Sequence, residues 1–123
     1  MNPYSTFISL LFASRTQAHV FHLQTNSYAM HKALNGYYDG IIDLADGLVE
    51  SYQGRHGILY NYTSPATIIE KASKEEVIAY FTNLDTMVES LRKELVQDSY
   101  IQNQIDNVVE LINGTLYKLK YLQ

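Results

Sequence analysis

The chain has 123 residues, 46% of them hydrophobic and 18% charged, with no cysteine and a formal net charge of −4. That length fits one hydrophobic core and not two, and the composition excludes a disordered chain, a disulfide framework and a thiolate metal site. An acidic chain disfavours non-specific DNA binding, which Lys and Arg drive by neutralising phosphates, but it attracts cations.

The apolar run Ile8–Ala13 is too short to span a membrane. No basic region precedes it, so no signal peptide is expected. Without secretion, the sequons Asn61-Tyr62-Thr63 and Asn113-Gly114-Thr115 read as chance matches. The expectation is one domain over residues 1–123, soluble and cytoplasmic.

Helical periodicity organises the rest. Met1 to Leu23 reads as a first helix, with Pro3 near its start and Phe7, Ile8, Leu11 and Phe12 at helical spacing. A polar break at Gln24-Thr25-Asn26-Ser27 follows, and Asn26 or Ser27 can cap a second helix, from Ser27 to about Gln53. Its apolar stripe runs through Tyr28, Leu34, Tyr38, Ile41, Ile42, Ala45, Leu48 and Val49. Gly36, Gly40 and Gly47 interrupt it, which implies close approach of a neighbouring helix, and Gly54 is a natural cap.

Gly54 to Ala72 is a connection too long for a tight turn. It permits a crossover between parallel helices. Ile58, Leu59, Tyr60 and Tyr62 are expected to pack down, with a helical turn around Pro65 to Lys71. Ser73-Lys74-Glu75-Glu76 is a capping box, so a third helix starts at Lys74 and ends near Gln97-Asp98. Val77, Phe81, Leu84, Val88, Leu91 and Leu95 mark its inner face. The fourth helix runs from Ser99 to about Leu119, with Ile101, Ile105, Val108, Val109, Ile112 and Leu116 inward. The fold class is therefore all-α, a four-helix bundle with a long crossover between helices 2 and 3.

One spacing carries chemistry: His19, His31 twelve residues on, Asp46 fifteen further, and Glu50 four further. With the turn near Thr25, His19 and His31 lie six residues either side of it and can face each other across an antiparallel hairpin. Asp46 and Glu50 share one helix face. Two imidazoles and two carboxylates suit iron, manganese or zinc. His31 and Asp46 are separated along one helix by roughly 22 Å, however, so a single chain cannot close the set. An antiparallel copy related by a two-fold axis would, giving two identical sites per dimer.

The pattern resembles the mini-ferritins, the Dps proteins of the ferritin-like superfamily. They carry a His late in the first helix, a second twelve residues later, and an Asp-x-x-x-Glu pair fifteen beyond that. The positions here are His19, His31, Asp46 and Glu50, and the segments ASKEEVIAYF and DNVVELINGTLYKLKYLQ are similar to the last two helices of that family. The resemblance implies a ferritin-like bundle and iron, Fe²⁺ and Fe³⁺, as the metal, with other divalent ions possible. It implies ferroxidase activity with peroxide or O₂ as oxidant, and a homo-oligomer, a dimer at minimum and a dodecamer in the family. Val20 stands where the family commonly has Trp, and Lys32, Asn35 and Gly36 stand where it often has acids that nucleate iron. Those departures favour a second reading, a metal-free structural or interaction protein on the same bundle. The lysine-rich arm that many members use on DNA is absent, so DNA binding is disfavoured.

Other residues have plainer readings. His22 shares a face with His19 and suits interface packing or support of the site better than ligation. His56 is expected to face solvent. Asp39 and Asp43 suit either ion entry or a solvated face, and the eleven tyrosines suit core and interface packing better than electron donation.

Overall fold

The computed structural model describes residues 2–63 and 67–123. Four helices carry it: α1 (Pro3–Gln24), α2 (Tyr28–His56), α3 (Lys74–Leu91) and α4 (Ser99–Tyr121), with one 3-10 turn at Arg92–Glu94. No strand occurs among the described residues. α1 packs on α2 and α3, and α4 packs on the same two, so α1 and α4 are diagonal. Tyr4 donates to the Leu48 carbonyl at 2.9 Å, Gln104 to Ser51 at 2.9 Å and Arg92 to Asp106 at 2.7 Å. These registers make every neighbouring pair antiparallel and leave α2 parallel to α3. Joining parallel helices needs a connection the length of the bundle, as the sequence implied.

The starts and stops have local causes. Asn2 caps α1 by accepting the Tyr4 N–H at 2.9 Å, and Ser27 caps α2 by accepting from Met30 at 3.2 Å. Ser73 and Glu76 form the reciprocal capping box of α3. α2 does not stop at Gly54. It continues to His56 and ends at Gly57, whose φ of +92° a side chain would resist. α3 ends earlier than Gln97, because the Arg92 guanidinium reaches the Gln102 carbonyl at 3.0 Å and turns the chain into α4.

The crossover lies along α1, held by polar α1 side chains. Ser5 donates to the Tyr60 carbonyl, and Ser9 accepts the Thr63 N–H at 2.9 Å. Gln17 pairs with both backbone groups of Ile69, at 2.9 and 2.8 Å, and Gln24 accepts the Lys71 N–H at 2.9 Å. These side-chain amides take the bonds that a helix would make for itself. The helical turn expected around Pro65 to Lys71 falls partly on 64–66, outside the described residues, and from Thr67 to Glu70 there is none. Only Leu59 of the expected apolar set is buried. Ile58 and Tyr60 are 62% and 68% exposed, as alternation along an extended segment requires, and Tyr62 only stacks on Phe12.

The core draws on all four helices, including Phe7, Ile8 and Leu11, Leu34, Ile41 and Leu48, Phe81, and Ile101, Ile105 and Ile112. Tyr37 is also fully buried. Burial pushes its hydroxyl well above the usual tyrosine range, so it remains a donor. Ser14 donates its one proton to the Leu11 carbonyl at 2.7 Å, so Tyr37 must donate to Ser14, also at 2.7 Å. That direction makes an asymmetric prediction. Ser14→Ala orphans a buried phenol and should cost about 1–3 kcal/mol, while Tyr37→Phe leaves Ser14 bonded to Leu11 and should cost about 1 kcal/mol. Urea unfolding of both variants tests the order.

Candidate metal and imidazole site

The turn between α1 and α2 is three residues, Thr25–Ser27, tightened by a Ser27 N–H to Thr25 Oγ1 bond at 3.1 Å. Its midpoint is Asn26, not Thr25. The position mirrored against His31 is therefore Phe21 and not His19, and the structure pairs His31 with the adjacent His22 instead of with His19. Their rings stack with centroids 3.6 Å apart and planes 19° apart.

The pair is also reciprocally bonded. His22 Nδ1 lies 2.7 Å from the His31 carbonyl, and His31 Nδ1 lies 2.9 Å from the His22 carbonyl. A carbonyl only accepts, so each Nδ1 carries a proton and each neutral ring keeps its lone pair on Nε2. The His22 carbonyl belongs to the last turn of α1, where helical donors run out, so His31 fills a vacancy the fold creates. Neither Nε2 makes a hydrogen bond among the described residues, and the His22 ring is buried at 7% exposure.

His19 sits one turn before His22, against Tyr38. The two rings stack at 4.3 Å and 18°, and the His19 and His22 centroids are 5.9 Å apart at 60°. Tyr38 donates to Asn35 Oδ1 at 2.8 Å, and Asn35 donates to Asp39 at 2.9 Å. Three histidines and a tyrosine thus form one patch on the α1–α2 face.

Asp46 and Glu50 lie elsewhere. Both are exposed on the outer side of α2, as is Asp43, and none of the three is in an ion pair among the described residues. No three His, Asp or Glu side chains come together as a metal-holding group among the described residues. The same outer face carries two bare positions. A Cβ at Gly36 or Gly47 would meet nothing within 4 Å, whereas one at Gly40 would meet Leu111 of α4 at 3.2 Å. Close helix approach inside the chain accounts for Gly40 alone. His56 is exposed and lies 3.6 Å from Asp98, beside Arg55.

The sequence under-weighted His22. Its signal is the turn length, because moving the mirror point by one residue carries the position opposite His31 from His19 to the neighbour of His22.

The fold defines a four-helix bundle protein with a full-length crossover. No helix among its described residues is long and apolar enough to cross a membrane. The profile of the family of unknown function DUF5856 matches residues 22–119, and the chain belongs to that family. It is similar to the uncharacterized 14.6 kDa protein of the mobD-ri intergenic region of Enterobacteria phage T4, with 32% identity over 118 residues. That alignment covers 94% of this chain and 84% of the relative. No solved structure matches.

Proposed function

We propose that the chain is a ferritin-like, Dps-like protein that binds and oxidises Fe²⁺ at sites shared between two copies. The observation that carries the reading is the imidazole patch: three histidines together on the α1–α2 face, two of them with Nδ1 anchored on a carbonyl. Anchoring of that kind fixes a ligand's tautomer and orientation. His31 supplies nitrogen. Asp46 and Glu50 of the partner copy supply oxygen. An antiparallel α2 pairing that sets His31 opposite Glu50 is centred near Ile41. It brings Gly36 close to the partner's Gly47, which gives the two open glycines a use. Fe²⁺ is the substrate: two ions give one electron each to a peroxide, which takes two protons and leaves as two waters. The crossover between parallel helices supports the ferritin-like topology, and a closed cytoplasmic shell is the assembly such subunits build.

A second reading has its own observation. The His22–His31 clamp ties the end of α1 to the start of α2 with two hydrogen bonds and a ring stack. Those histidines would be useful in a structural bundle with no metal at all, and Lys32 and Asn35 fit that bundle. Elemental analysis of protein purified without chelator separates the two. The ferritin-like reading expects co-purifying iron and Fe²⁺ oxidation faster than in buffer. Iron-free protein that leaves the buffer rate unchanged would replace it with the structural one.

A further inference from the structure

We propose that His19 and His22 form a chelate for one borderline divalent cation, of the Zn²⁺, Ni²⁺ or Cu²⁺ class, within a single chain. The site needs neither the partner copy nor Asp46 and Glu50.

The argument is geometric. His19 and His22 are three apart on α1, so they are neighbours on one helix face. Two imidazoles on one tetrahedral cation, with metal–nitrogen bonds of about 2.0–2.1 Å, hold their ring centroids about 5 Å apart. The observed separation is 5.9 Å with the planes at 60°, so a small χ adjustment closes the chelate. The His22–His31 pair does not serve in the same way. Rings stacked face to face at 3.6 Å, each turned toward the other's backbone, do not converge on one ion.

The two donors are also prepared. His22 Nδ1 is committed to the His31 carbonyl, which leaves Nε2 as its ligating nitrogen in a fixed orientation. His19 makes no hydrogen bond among the described residues, and the Tyr38 ring holds its plane from one side. Nitrogen donors without a nearby carboxylate select imidazole-preferring ions over Mg²⁺ or Ca²⁺. Solvent completes the coordination, since no third ligating side chain joins the pair among the described residues. Arg15 is exposed one turn earlier and lowers the affinity by its charge.

The test is calorimetric titration of NiCl₂ into untagged protein. The expected result is saturable binding at one ion per chain. His19→Gln leaves the clamp untouched and should weaken it at least tenfold, and His22→Gln should do the same. His56→Gln, which removes a histidine outside the patch, should bind within about twofold of the parent. No saturable binding, or full affinity in His19→Gln, would overturn the inference. Loss of all Ni²⁺ binding in the double variant Asp46→Asn with Glu50→Gln would also overturn it, and would instead favour the site shared between copies.

Discussion

Phe81→Ala should lower the free energy of unfolding by about 3–5 kcal/mol. The ring is fully buried and sits edge-on to Tyr37, centroid to centroid 4.9 Å, with its neighbour Tyr80 at 5.3 Å. Tyr37 is on α2 and Phe81 on α3, the diagonal pair, so this contact crosses the middle of the bundle. Removing the ring forfeits its transfer energy and leaves a cavity that helices anchored on every side cannot collapse into. A domain of this size is stable by about 5–15 kcal/mol, so the loss is a large share of the whole. Leu23→Ala, at a residue 69% exposed, should change stability by less than about 0.5 kcal/mol. Urea melts of both variants make the comparison, and a Phe81 loss below about 1 kcal/mol would mean the bundle centre is not packed as described.

How far the sequence carries depends on the residue. Phe81, Leu84 and Val88 repeat at helical intervals behind a strong capping box, so α3 begins where Ser73 places it. The crossover was legible from length alone, because a connection running from Gly54 to Ala72 joins distant helix ends. Its packing was not. Ile58 and Tyr60 look like core residues, but Ser5, Ser9 and Gln17 hold the backbone in an extended path that alternates side chains outward. No pattern within 54–72 announces that path, because the polar residues that set it belong to α1. Gly54 and Gly57 look alike in sequence, and only Gly57 takes a positive φ. At the site, the ligand-type residues and their helices were legible. The pairing of His22 with His31 was not, because it turns on where Thr25–Ser27 places the mirror point, and boundaries are the least certain part of such a reading. Asp46 and Glu50 lie exposed on α2, apart from the imidazole patch.

Mixing two inactive variants should restore part of the Fe²⁺ oxidation rate. In the shared-site reading, His31→Ala removes an imidazole and Glu50→Ala removes a carboxylate from the same site, but from different chains. Each variant alone is defective at every site and should oxidise iron slowly. The two losses should be non-additive in the double variant, since groups serving one ion are coupled. In a mixed dimer, one site carries both defects and the other carries none. Random reassembly of equal amounts makes about half of the dimers mixed, so about a quarter of all sites are intact. The expected rate is therefore about a quarter of the parent's. Stability must be followed in parallel, because the two changes are not equivalent there. Glu50 is exposed, whereas His31 also donates to the His22 carbonyl and stacks on its ring. Losing that bond should cost about 1 kcal/mol, which a thermal melt would record without loss of the fold. Mass spectrometry of the reassembled sample confirms that mixed dimers are present. With mixed dimers present and no recovered rate, the site is not shared between chains. If each single variant instead oxidises Fe²⁺ as fast as the parent, His31 and Glu50 hold no iron, and the clamp between α1 and α2 is what His31 is for.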